Sequence, residues 1–268
     1  MNKKYYIIGL PDSGKSTFLA ALGYYLICGG HNDSIYKLGK NDDLDYISDL
    51  TETWSKCEEL ERTNINASFN ISLQLIDNTG NLIDIIMPDR SGESFRNIIK
   101  NRQIEEDMLN DINSSDKILL FINPSKISND SFIYEIAPEY RNQDAKKVEI
   151  ENKNKMHEQA EYVELLQHIG RVNKDATDFK IIISAWDEYE DYKSPEELLK
   201  NKLPLIWQYV KTNKDLFNCE YWGISAQGGD LTNEDKKKEL ESHINACDRI
   251  IVVDEKGDIS NDISKVLV

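Results

Sequence analysis

Residues Gly9-Leu10-Pro11-Asp12-Ser13-Gly14-Lys15-Ser16-Thr17 follow the spacing G-x-x-x-x-G-K-[ST], and no other stretch constrains the folding of this chain as tightly. Ahead of it, the apolar run from Tyr5 to Ile8 reads as a buried strand. Behind it, Phe18, Leu19, Leu22, Leu26 and Ile27 carry the apolar spacing of a helix from Ser16 to Cys28. A strand that enters a helix through two glycines turns its backbone N–H groups inward at the positive end of the helix, which makes a cradle for phosphate. Pro11, Asp12, Ser13, Gly14 and Thr17 are expected to form that cradle, Lys15 to reach the outer phosphates, and Ser16 to offer its hydroxyl to Mg²⁺.

Beyond the cradle, strands and helices alternate. Gly29 to Asp33 break the first helix, and a second is expected over 42–61 with Leu44, Ile47, Leu50, Trp54 and Leu60 on its packing face. Phe69, Ile71, Leu73 and Leu75 alternate, and Asp77-Asn78-Thr79-Gly80 turns the chain into Leu82 to Met87, an antiparallel hairpin. Further helices are expected over 94–113, 156–172, 195–211 and 232–247, and strands over 118–122, 180–185 and 219–225. This order predicts a three-layer α/β domain, with a mostly parallel central sheet, one antiparallel hairpin strand, and helices on both faces. No Pro-, Gly- or Ser-rich linker divides the chain, so 1–268 reads as one domain with a helical insertion at 30–62 and a polar one at 124–155.

The 32 basic and 48 acidic side chains leave a formal charge of −16, which repels a phosphate backbone and argues against nucleic acid as the main partner. Cys28, Cys57, Cys219 and Cys247 form no C-x-x-C pair, and His31, His157, His168 and His243 show no i, i+4 spacing. Reduced thiols without a zinc site are the expectation. No apolar stretch approaches the roughly 18 residues of a membrane span, and Lys3-Lys4 lead into a short strand rather than a signal-peptide core, so a cytoplasmic location is expected. The acidic groups at 42–45 and 187–191 lack the spacing of a calcium loop.

A phosphate cradle that uses Mg²⁺ needs a carboxylate at the end of a neighbouring strand to hold the metal through water. Ile85-Ile86-Met87-Pro88-Asp89 supplies it in Asp89. Asp89 also opens Asp89-Arg90-Ser91-Gly92-Glu93, a D-x-x-G element in which the Gly92 N–H is placed to meet a γ-phosphate and register its presence.

With these elements the chain resembles the Ras-like, TRAFAC-type GTPases, and the resemblance implies a Ras-like G domain. That family carries N-K-x-D after a parallel strand, where this chain has Ser184-Ala185-Trp186-Asp187. Only the aspartate matches, so the resemblance makes Asp187 the carboxylate that accepts two hydrogen bonds from guanine. The family's S-A-[KL] is matched by Ser225-Ala226-Gln227, implied to meet the base edge through backbone N–H groups. Of Thr51, Thr53 and Thr63, Thr63 stands where the family places the threonine that completes the Mg²⁺ shell, with Arg62 beside it as a charge-stabilising residue. Glu93 departs from the family's water-orienting glutamine. A carboxylate there can accept a proton from water but repels the γ-phosphate, which implies slow unaided hydrolysis.

More narrowly, the opening Gly9 to Leu22, the Arg62-Thr63 pair, Asp89 with Gly92-Glu93, and Asn261-Asp262-Ile263-Ser264 resemble the bacterial double-GTPase group, which is often encoded with anti-phage systems. That resemblance implies GTP or GDP with Mg²⁺, a regulatory switch that hydrolyses GTP through Lys15, Arg62, Gly92 and Glu93, and a protein partner from the same operon. It implies no oligomeric state. An ATPase or kinase built on the same cradle stays open because the 184–187 motif is incomplete. A non-hydrolysing scaffold stays open because of Glu93 and the long insertion.

Overall fold

The computed structural model describes residues 2–28, 35–40, 44–60, 70–88, 98–99, 101–127, 157–172 and 177–268. Its first strand, β1 (Asn2–Ile8), shows how the layers arise. Tyr5 and Ile7 pack into the hydrophobic cluster on one face of the sheet, while Tyr6 and Ile8 pack into the cluster on the other. A strand apolar at consecutive positions must be covered on both sides, and it is.

The sheet has nine strands in the order β2-β3-β4-β1-β5-β6-β7-β8-β9. These are β2 (Tyr36–Leu38), β3 (Asn70–Asp77), β4 (Leu82–Pro88), β5 (Lys117–Ile122), β6 (Thr177–Ser184), β7 (Phe217–Ser225), β8 (Ile251–Val253) and β9 (Ile259–Ser260). Helices α1 (Lys15–Ile27) and α2 (Leu44–Ser55) cover one face. On the other lie α3 (Glu106–Asn113), α4 (Glu158–Val172), α5 (Pro195–Lys202) and α6 (Pro204–Thr212), and α7 (Glu234–Glu241) follows β7. The three-layer α/β architecture is as expected.

Pairing is parallel through the centre, β4-β1-β5-β6-β7, and antiparallel at both margins. Besides the predicted β3–β4 hairpin, β2 pairs antiparallel with β3, β8 with β7, and β9 with β8. These three strands are two or three residues long, too short to leave an alternating pattern in the sequence. β2 also makes the 30–62 insertion more than helical, since Tyr36 is buried against the core.

Three of the predicted helices are split or shortened, each for a local reason. The 195–211 helix is two helices, because Leu203 precedes Pro204 and is held out of the α region at φ −128° and ψ 55°. Within 94–113, Arg102 adopts a left-handed φ of 53°, so α3 begins at Glu106. The 232–247 helix stops at Glu241, and Asn245 caps a separate 3₁₀ turn over Ala246–Arg249 by accepting from the Cys247 N–H. In α2, Ile47 and Trp54 are fully buried, as the packing face requires, and Cys57 at φ 54° ends the element. Residues 128–156 of the polar insertion lie outside the described residues; Pro124–Lys126 forms a 3₁₀ turn.

The register aligns the carboxyl ends of the parallel strands. Ile8 pairs with Leu120, Ile122 with Ile183, and Ser184 with Ile224. The chain passes from β4 on one side of β1 to β5 on the other, which makes the carboxyl end of β1 a topological switch point, where α/β sheets bind ligands.

Candidate functional site

The loop between β1 and α1 closes at this switch point. Gly9 sits at φ 154°, and a Cβ there would lie 2.7 Å from the Phe121 carbonyl oxygen of β5, so backbone packing excludes any side chain. Gly14 is the α1 N-cap at φ 90°, and a Cβ on it would fall 2.9 Å from the Ser184 Cβ. Both required glycines therefore have tertiary reasons as well as conformational ones. Asp12 takes a left-handed φ of 60°, and its carbonyl accepts from the Asn123 side-chain amide at 3.4 Å, tying the loop to the end of β5.

Lys15 is 9% exposed, and its ammonium donates to the carbonyls of Gly9 and Leu10 at 2.9 Å each and to the Ser13 hydroxyl at 3.1 Å. Burial lowers its pKa to about 8, against a smaller opposing pull from Asp12. The lysine thus holds the loop's curvature from within. Ser13 is itself buried, while Pro11, Ser16 and Thr17 are partly accessible and Asp12 is exposed.

Gly14 and Thr17 of this loop line a cavity of about 310 Å³ together with Asp187 and with Ser225, Ala226 and Gln227. Residues far apart in sequence meet here because α1 begins, and β6 and β7 end, at the same edge of the sheet. The Asp187 carboxylate accepts a short hydrogen bond from the Ser225 hydroxyl, which in turn accepts from the Gly228 N–H at 3.0 Å. One hydroxyl therefore orients the carboxylate and closes the loop after β7. Ala185 reaches the left-handed region at φ 53°, unusual for a residue with a Cβ, and turns the chain so that Trp186 packs over Gly223 while Asp187 faces the cavity. Trp186 is 2% exposed and anchors that turn.

Sequence reasoning missed several lining residues: Asn123, Ser125 and Lys126 after β5, Glu188 beside Asp187, and Asp230 to Thr232 after β7. The Asn123-Pro124 stop directly after a buried strand is a signal that could have pointed to the first group; the others carry none. Glu188 has its pKa raised, mainly by desolvation and then by Asp187, with Lys126 opposing. The cavity is acidic on the Asp187 side, with Lys126 as a facing cation. Trp54, whose place in α2 was expected, also serves the site, since its indole N–H donates to the Ala226 carbonyl at 3.1 Å.

The expected site residues Arg62, Thr63, Asp89, Gly92 and Glu93 lie outside the described residues. Among the described residues no cluster of three or more His, Cys, Asp or Glu side chains is arranged to hold a metal, and no helix is long and apolar enough to cross a membrane. The four cysteines are free thiols.

The chain is similar to several solved structures. A variant of Aquifex aeolicus Era bound to GDP.AlF4⁻ is 17% identical with a TM-score of 0.39, and covers 91% of this chain and 57% of its own. The GTPase-like domain of S. cerevisiae Ski7 bound to GTP is 14% identical with a TM-score of 0.40, over 88% and 45%. The G domain of the T. maritima FeoB iron transporter is 10% identical with a TM-score of 0.34, over 90% and 98%. At TM-scores below 0.5 these likenesses add nothing to the assignment. The chain spans about half the length of the Era and Ski7 chains. No curated protein matches the sequence. Residues 6–268 match the model of the Double-GTPase 1 family, and the chain belongs to that family.

Proposed function

We propose that this member of a GTPase family binds GTP and GDP with Mg²⁺ and works as a slowly hydrolysing switch. The observation that carries this reading is the single cavity in which the phosphate loop, through Gly14 and Thr17, meets Asp187 and Ser225 to Gln227. A phosphate end and a base end at one cavity suit a nucleotide. Asp187 offers only acceptors, which suits the adjacent ring N–H and amino group of guanine. Adenine lacks that donor pair. Ser184 and Ala185 leave this carboxylate as the principal base-reading side chain taken from the 184–187 motif.

In this reading Lys15 releases the loop carbonyls to meet the β- and γ-phosphates, and the backbone N–H groups from Pro11 to Thr17 cradle the β-phosphate. Ser16 fits a hard divalent cation, since its hydroxyl stands on the first, partly accessible turn of α1 and such ions take few protein ligands beside phosphate oxygens. Thr63 and Asp89 would complete that shell, directly and through water. Mg²⁺, when bound, neutralises charge on the phosphate oxygens. Gly92 would sense the γ-phosphate, Glu93 would orient or deprotonate water, and Arg62 would stabilise developing charge. The double-GTPase resemblance supports a place in a bacterial defence or signalling system with a protein partner from the same operon.

Competition of GTP and ATP for bound fluorescent GDP tests the reading. GTP is expected to displace it at least a hundredfold better, and equal competition by ATP would end the guanine assignment. Asp187→Asn is expected to shift preference to xanthosine nucleotides, whose 2-carbonyl meets the new amide donor. Unchanged basal and partner-stimulated hydrolysis in Glu93→Ala would remove that residue from the chemistry.

A further inference from the structure

Resting on the guanine reading above, we propose that the side chain of Gln227 reads the purine, its carboxamide nitrogen donating to the 6-carbonyl of guanine. Gln227 lines the cavity, and its Nε2 is buried without a hydrogen-bond partner among the described residues. An amide donor left in that condition costs about 1–3 kcal/mol, which a ligand carbonyl would recover.

The backbone around it is pinned. The Ala226 carbonyl accepts from the Trp54 indole, and the Gly228 N–H donates to the Ser225 hydroxyl. Gln227 therefore reaches the cavity from a fixed base, and its last torsion, which is broad for a carboxamide, lets the amide turn toward a ligand at small cost.

The other side-chain donors at the base end are mostly committed. The Ser225 hydroxyl donates to Asp187, Thr232 to Asp230 at 2.7 Å, Ser125 to Asn123 at 2.8 Å, and Ser184 to the Ile122 carbonyl at 3.3 Å. The Asn123 amide donates to the Asp12 carbonyl. Thr17 belongs to the phosphate end. Lys126 is exposed and is drawn electrostatically to Glu188 and Asp230. Guanine presents an acceptor at position 6 beside donors at N1 and the 2-amino group. Asp187 answers the donors, and the Gln227 amide is a neutral side-chain donor without a partner that can answer the acceptor, beside the backbone N–H groups of the same loop. Discrimination against adenine stays with Asp187, since the Gln227 carboxamide can turn its oxygen toward a 6-amino group.

The test measures dissociation constants for GDP and for 6-thio-GDP, which keeps the N1–H and the 2-amino group but replaces the carbonyl oxygen by a weakly accepting sulfur. The wild-type chain is expected to favour GDP by roughly fivefold. Gln227→Met, matched in shape but without the donor, is expected to weaken GDP roughly tenfold and to remove the preference, with an unchanged or higher melting temperature because no contact within the fold is lost. A GDP to 6-thio-GDP ratio that survives Gln227→Met overturns the proposal, as does a ratio lost in Lys126→Met instead. A wild-type chain that binds neither nucleotide overturns the guanine reading itself, which separates the two failures.

Discussion

The indole N–H of Trp54 donates to the Ala226 carbonyl at 3.1 Å, so the helix that leads toward residues 61–69 is bonded to the loop that lines the base end of the cavity. The same ring carries the Arg249 guanidinium 4.5 Å above it, and Arg249 donates to the Trp54 carbonyl at 3.1 Å and to the Ala246 carbonyl at 3.2 Å. Trp54 is fully buried and Arg249 is 3% exposed, so water cannot replace these bonds. Trp54→Phe keeps an aromatic body and removes the donor, leaving a buried carbonyl unmet. A loss of about 1–3 kcal/mol in urea unfolding is expected, together with weaker GDP binding. An unchanged midpoint would show that the bond contributes nothing.

Ser225 is the hinge between Asp187 and the loop after β7. Ser225→Ala leaves the Asp187 carboxylate without its hydroxyl donor and the Gly228 N–H without its acceptor. Affinity for GDP is expected to fall roughly tenfold, and Ser225→Thr, which keeps the hydroxyl, to restore most of it. Equal losses in both variants would point to packing rather than hydrogen bonding.

Gly223 faces the Trp186 ring so closely that an added Cβ would overlap it. Gly223→Ala must therefore push Trp186 and the turn that carries Asp187. Discrimination of GDP against ADP is expected to drop while affinity for inorganic pyrophosphate, which needs only the phosphate end, holds. Isothermal titration with the three ligands checks this, and an intact GDP preference would show that the turn absorbs the shift.

Lys15 sets a pH dependence whose sign follows from its lowered pKa of about 8. Phosphates beside the ammonium favour its protonated form, so binding above that pH takes up a proton. GDP affinity is expected to be level between pH 6.5 and 7.5 and to weaken as pH rises through about 8, by at most tenfold per unit. Titration at pH 8.5 in two buffers of different ionisation enthalpy reports the proton directly. Without ligand the sign reverses: the unfolded chain binds more protons between about 8 and the ordinary lysine range, so Lys15 makes the fold more stable as pH climbs through that window. A flat affinity profile would mean the lysine is already charged throughout.

Much of the fold was legible because its signals are local. β1, β5 and β6 carry apolar residues at consecutive positions, the pattern of strands buried on both faces, and β7 does so toward its carboxyl end. Asp187 and Ser225 to Gln227 were reachable because each follows such a strand directly. What escaped was short or broken. β8 and β9 pair only through two or three residues, and Leu203 interrupts a good helical pattern because the ring of Pro204 forbids the α region before it. Lys126 and Asp230 to Thr232 escaped for another reason. Nothing about an exposed lysine or a polar turn marks it as part of a cavity wall.

The sequence by itself determined that a phosphate cradle exists, since the glycines, Lys15 and Ser16 act within nine residues whose geometry is set by the strand and helix on either side. Only the tertiary structure decided what that cradle faces. Parallel pairing levels the ends of β1, β5, β6 and β7, and this alignment brings Gly14 and Thr17 to Asp187, Ser225 and Gln227 across separations no local pattern can encode. Hydrogen bonds between strands, rather than the neighbours of any one residue, set the distance from the phosphate end to the base end.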